Sequence, residues 1–291
     1  MFDEAPSYNH RMPEERIAPV DVTRVTQGSV TRNEDVLAVE EPLEIRVAWE
    51  EREKNISVTM RTPGDDFDLA AGFLFTEGLI RTASDIESIR HWGSPNVVRV
   101  ALHNPIDTSK LDRHFYTTSS CGVCGKTSID AVRVVSGGPP PPAARISAEI
   151  VHRLPKILEQ NQSAFRATGG LHGAAIVSDA GDLLRIREDI GRHNAVDKVI
   201  GSLFREGVVS GGQPPSAVGT AEGRCPPPMI LVVSSRASFE LVQKAVVAGI
   251  TVLAAVGAPS TLAVDLAREF GVTLLGFVRD GRFNVYSGEV A

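Results

Sequence analysis

The last quarter of the chain alternates apolar runs and amphipathic runs with a regularity that few folds can absorb. Strands are expected at 229–233, 251–255 and 272–277, with helices at 239–248 and 261–270 between them. A helix between two strands carries the chain back across the sheet, so successive strands run parallel and the helices cover the faces. Strands at 173–177 and 183–187 and a helix from about 194 to 204 continue the pattern upstream. A helix is expected from about 147 to 153, with Pro155 in the first turn of a second one. The final strand, 283–286, follows an Asp280-Gly281 turn and should close a hairpin with its predecessor.

The front of the chain has a different period. Segments 43–49 and 56–61 alternate apolar and polar residues, as half-buried antiparallel strands do, with a charged turn at 50–55. Pro63-Gly64-Asp65-Asp66 opens a helix through Leu69, Ala70, Phe73 and Leu74, with Asp65 and Asp66 expected as capping residues. A further strand is expected at 97–102. Residues 1–20 are polar and without periodicity, which reads as a mobile tail. The proline- and glycine-rich stretches 137–145 and 211–228 read as flexible inserts. The organisation expected is a β-rich part over 21–135 and a larger α/β part over 146–291.

Composition excludes several classes. The chain has 291 residues, 42% hydrophobic and 23% charged, enough for one large or two modest domains. A net charge of -6 argues against a nucleic-acid-coating surface. No uncharged apolar stretch is long enough to span a bilayer, and the start lacks the pattern of a signal peptide. Three cysteines make no disulfide framework. A cytoplasmic protein with reduced thiols is expected.

Two of those cysteines, Cys121 and Cys124, stand in SSCGVCGK (119–126). This spacing suits a metal clip, a redox pair, a buried structural pair, or a thiolate that carries sulfur. Zinc needs two more ligands, and no second such pair exists; His172 and His193 are not at zinc-finger spacing. A thioredoxin-type motif would lie between a strand and a helix, and the proline run cuts the following segment short. Sulfur carriage needs an accessible, activated cysteine, and Lys126 would help to lower its pKa. Cys225 lies alone in the second insert.

Three turns look ready for an anion. Arg192 and His193 sit at a helix start after Glu188-Asp189-Ile190-Gly191. Ser234, Ser235 and Arg236 follow a buried strand, where open α/β sheets bind ligands; Ser238 and Glu240 read as helix caps. Phe277, Val278, Arg279, Asp280, Gly281 and Arg282 place two guanidinium groups beside an aromatic ring. Gly169 and Gly170 precede His172 at another turn. Several phosphate-friendly turns in one domain point to a large nucleotide-like ligand, although no P-loop is present.

SSCGVCGK, TGGLHGAA (168–175), REDIGRHNAVDKVIG (187–201), SSRASFELVQKA (234–245) and FVRDGRFNVYS (277–287), in that order, resemble the FdhD family of formate dehydrogenase accessory sulfurtransferases. The resemblance runs from about residue 36 to residue 287. It implies a dimeric sulfur carrier that takes sulfur from a cysteine desulfurase. The acceptor it implies is the molybdenum cofactor, as bis(molybdopterin guanine dinucleotide), before insertion into formate dehydrogenase. By position Cys121 would bear the persulfide, Cys124 would be its partner, and 277–282 would bind the cofactor. The implied fold is α/β, a cytidine-deaminase-like αβα layered domain with a smaller N-terminal β-rich domain. Deaminase chemistry is not implied: Gly173-Ala174 follow His172 and Ser120 precedes Cys121, so that zinc set is missing and no metal site is expected.

Overall fold

The computed structural model describes residues 15–107, 132, 145–211 and 229–291. The cysteine motif, Cys225 and both expected inserts, apart from Arg145 and Gly211, lie outside these residues.

A hairpin leads the described chain: β1 (Ile17–Thr26) pairs antiparallel with β2 (Ser29–Ala38). β1 thus opens inside the segment expected to be a tail, because ladder bonds to β2 satisfy a backbone whose side chains are mostly exposed. A four-stranded sheet follows, in the order β4-β3-β6-β5. Its strands are β3 (Glu41–Trp49), β4 (Arg52–Arg61), β5 (Ile86–His91) and β6 (Val97–Leu102). Leu43, Ile45 and Val47 are fully buried, while Glu44 and Arg46 point the other way and pair with each other. The turn between β3 and β4 is tighter than expected, since Arg52–Asn55 belong to the ladder. β5 has little alternation to betray it and was not expected.

Helix α1 (Asp66–Thr76) buries Leu69, Leu74 and Phe75. Asp65 and Asp66 do not cap it. Asp65 has φ of 55° and no cap bond; it pairs with Arg16, while Asp66 pairs with Arg61 at 2.9 Å. Both carboxylates are engaged by arginines instead of by the first amides of the helix.

Helix α2 (Ala148–Asn161) runs as one unit through Pro155, where two helices were expected. Val151, Leu154 and Leu158 are all buried on one face, and that packing offsets the backbone bond that proline removes. Ser147 caps its start, accepting from the Ile150 amide. The short α3 (Ser163–Thr168) ends at Gly169, whose φ of 69° is the left-handed value that glycine tolerates.

The six-stranded sheet has the order β12-β11-β10-β9-β7-β8. Its members are β7 (His172–Ser178), β8 (Leu183–Asp189), β9 (Met229–Val233), β10 (Val252–Ala255), β11 (Thr273–Arg279) and β12 (Arg282–Ser287). β9, β10 and β11 are mutually parallel, as the alternation required; β7, β8 and β12 join by antiparallel pairing. α2 covers one face against Ala175, Val177, Val232 and Ala254. The other face carries Ala174, Ile176, Leu231 and Leu253 beneath α4 (Arg192–Arg205), α5 (Phe239–Val247) and α6 (Thr261–Glu269). The result is a three-layer αβα arrangement.

The four-stranded sheet and α1 share this second core. α1 crosses α4 at glycine on both sides: a Cβ on Gly72 would stand 1.9 Å from the Asp197 carbonyl oxygen, and one on Gly201 1.9 Å from that of Asp68. Beside the crossing, Phe75 and Phe204 stack at 4.5 Å.

Candidate functional site

β9, β10 and β11 end at one edge of the large sheet, and that edge gathers the three expected turns. The Val256 amide donates to Val233 O, Gly257 N to Ser235 O, and Phe277 N to Gly257 O, each at 3.0 Å. Thus the turn after β9 is tied to the loop after β10, and that loop to the end of β11. The contact is close, since a Cβ on Gly257 would meet the Arg236 backbone at 2.9 Å.

β7 runs opposite to β9, which brings its first residue to the same edge. Gly173 N donates to Ser234 Oγ and Ser234 N to Gly173 O, both at 3.0 Å. His172 pairs with Asp189, the last residue of β8. Burial, and then the charge of Arg192, push the His172 imidazole below its ordinary value, so it favours the neutral form. Arg192 and His193 are the first residues of α4, and Ser238 stands at the N-cap position of α5 without the side-chain cap bond expected of it. Both helices point their free amides into this corner.

The polar groups here are incompletely satisfied. Arg192 Nε, His193 Nε2 and Ser238 Oγ are buried and have no hydrogen-bond partner. His193 Nε2 stands 3.9 Å from Glu240, too far for a hydrogen bond but close enough for Coulomb attraction. That neighbour is the main reason Glu240 is held down at about 2. Orphaned polar atoms beside two helix starts form an arrangement with the chemistry suited to an anion.

The other end of the edge is built differently. Arg279 and Arg282 face each other across the β11–β12 hairpin, with Asp280 and Gly281 at its tip. Arg279 donates to Val256 O at 2.6 Å, and both guanidinium groups are exposed. Phe277 is 40% exposed, with φ of 53° at a bulge, so its ring stands clear of the sheet. Val278 is buried in the core beneath α2, leaving only its backbone on the site side. The two ends lie four strand spacings apart, roughly 19 Å.

The motif 187–201 divides. Arg192 and His193 face the edge, whereas Glu188, Asp189, Asn194, Asp197 and Lys198 are buried. Glu188 accepts from the first amides of α3, at Ala164 and Phe165. Asp197 pairs with Lys244 at 2.9 Å. The sequence reading missed the Gly257 loop and the facing of Glu240 towards His193. The glycine at the end of a parallel strand was the signal for the first; the second had none, because it depends on how two helices pack. Among the described residues no three His, Cys, Asp or Glu side chains gather in a way that could hold a metal ion. Among them, too, no helix is long and apolar enough to cross a membrane.

The sequence model of the FdhD/NarQ family matches residues 38–291. The chain belongs to the FdhD/NarQ family. Relatives named sulfur carrier protein FdhD come from Nocardia farcinica, 47% identical over 92% of this chain and 91% of the relative. One from Streptomyces avermitilis is 46% identical over 92% and 93%. One from Mycobacterium tuberculosis is 44% identical over 91% and 95%. A crystal structure assigned as a formate dehydrogenase accessory protein from Desulfotalea psychrophila superposes with a TM-score of 0.70, covering 94% of this chain and 98% of that one. At 22% identity this likeness supports the layered α/β fold. All five motifs, including the cysteine motif, fall within the span of the FdhD/NarQ match.

Proposed function

We propose that this chain is a sulfur carrier serving a formate dehydrogenase. In this reading Cys121 carries the sulfur, and the edge of the large sheet holds the acceptor, the bis(molybdopterin guanine dinucleotide) molybdenum cofactor. One observation carries the ligand reading: Arg192 Nε, His193 Nε2 and Ser238 Oγ are buried donors without partners, in a family whose curated relatives are named sulfur carriers. They suit phosphate oxygens, with Ser235 and Arg236 on the next turn. Phe277, Arg279 and Arg282 offer a ring and two guanidinium groups to the far part of the same ligand, with Asp280 and Gly281 as the hairpin turn. A small anion would occupy only one end of an edge roughly 19 Å long.

The sulfur steps follow from thiolate chemistry. The Cys121 thiolate attacks the terminal sulfur of a persulfide on a cysteine desulfurase. The donor S–S bond breaks, the desulfurase leaves as thiolate, and Cys121 holds the sulfur as a persulfide. Cys124 thiolate then attacks the inner sulfur, and the outer one departs as hydrosulfide towards the acceptor. A Cys121–Cys124 disulfide remains, which a dithiol reductant must reopen. Lys126 favours the thiolate. The partners in this reading are a cysteine desulfurase and a formate dehydrogenase, with a second copy of the chain in a homodimer as the family resemblance implies, acting in the cytoplasm.

Incubation of the full chain with desulfurase and cysteine, followed by intact mass spectrometry, tests this. The expected result is the gain of one sulfur, lost in Cys121→Ala. No gain, or an undiminished gain in Cys121→Ala, overturns it.

A further inference from the structure

We infer that Asp189 is the positioning residue of the anion site, clasping the first turn of α4 to the four-stranded sheet so that Arg192 and His193 are held in place. The inference rests on the ligand reading above and concerns a carboxylate that touches neither ligand nor sulfur.

Asp189 is fully buried, and both its oxygens are engaged. Oδ1 accepts from Gly191 N at 2.8 Å and from Asn194 Nδ2 at 3.1 Å. Oδ2 accepts from Thr62 N at 3.1 Å and faces Lys198 Nζ at 2.8 Å. One oxygen therefore grips the turn that carries Arg192 and His193, and the other grips the segment between β4 and α1. Thr62 completes the clasp: its carbonyl accepts from Lys198 Nζ at 2.7 Å and its Oγ1 from Ile190 N at 3.3 Å. Asn194 extends it, donating to Met60 O at 2.7 Å and accepting from Thr59 Oγ1 at 3.2 Å.

A single N-cap acceptor is the usual provision at a helix start, and the remaining amides of an exposed turn bond to water. Here every group on Asp189 and Asn194 is committed, and the commitments join a distant sheet to the two residues that face the edge. Orphaned donors such as Arg192 Nε and His193 Nε2 are useful only if they are held where the ligand's oxygens arrive. Asparagine cannot replace Asp189: whichever way its amide points, two donors confront its NH2 group.

The test uses the full chain and two probes, guanosine 5′-diphosphate and guanosine, with calorimetric titration. Wild type should prefer the diphosphate, and Asp189→Asn should cut that preference about tenfold. Thr62→Val keeps every charge and removes only the acceptor of Ile190 N, so it should fold and cut the preference by about threefold. If Asp189→Asn does not fold, Thr62→Val decides alone. A lowered melting temperature with an unchanged diphosphate preference in the folded variants would make Asp189 merely structural and overturn the inference. No preference in wild type would instead overturn the ligand reading itself, so the two failures are distinct.

Discussion

The two ends of the sheet edge reach similar chemistry by opposite means. At the α4 end, Arg192 and His193 stand on a turn whose neighbours are buried and fully bonded, with Lys198 and Asp189 both inaccessible to solvent. At the hairpin end, Arg279 and Arg282 are exposed, and Arg279 donates to the carbonyl oxygens of Val256 and Val278. The first end holds its donors rigidly and pays desolvation to do so. The second leaves long side chains exposed, which in the proposed reading lets them follow a ligand. A rigid end fixes register, and an adjustable end tolerates a bulky cargo.

That contrast breaks most visibly at the buried pair. Lys198→Ala leaves the Asp189 carboxylate without its countercharge and should cost about 3–5 kcal/mol in urea unfolding. Burial already pushes the Lys198 ammonium down, against the pull of Asp189, so the pair has little slack. Next comes the helix crossing beneath the rigid end. Gly201→Ala would drive a methyl to 1.9 Å from the Asp68 carbonyl oxygen and should cost about 3 kcal/mol by the same measurement. The hairpin end should behave otherwise. Arg282→Ala is expected to change stability by less than about 0.5 kcal/mol while weakening binding of guanosine 5′-diphosphate or the cofactor severalfold. If it unfolds the protein as Lys198→Ala does, the two ends are not different in kind.

The smallest effect is electrostatic. His172 has a folded-state value below its ordinary 6.5, so the unfolded chain binds more protons between the two values. Its contribution is complete above pH 6.5 and fades as pH falls through the folded value. Proton NMR of the imidazole should show that lowered midpoint, and a phosphate-bearing ligand at the α4 end should move it upward. An unmoved midpoint with ligand bound would separate His172 from the anion site.

Much of the scaffold was legible in one dimension. The parallel strands β9, β10 and β11 and their helices showed in the change of period, because strand length and helix length leave different spacings. Arg236, Arg279 and Arg192 were visible as cations at strand ends. Residues 17–26 and 86–91 were not visible as strands. Their side chains are largely exposed, so burial left no alternation to read. Pro155 misled for the opposite reason: the buried face formed by Val151, Leu154 and Leu158 outweighs one missing hydrogen bond.

The sequence by itself determined the αβα layering, the family, and the cysteine pair with its spacing, since period, motif order and thiol chemistry are all properties of residues in line. Tertiary structure alone decided which polar residues of the 187–201 motif face the edge and which serve the core. A helix start exposes only some of its side chains, and Asp189 turned inward because Thr62, just after β4 and more than a hundred residues away in sequence, meets it there. Charge and hydrogen-bonding capacity are written in the chain; the partner that satisfies them is chosen by packing.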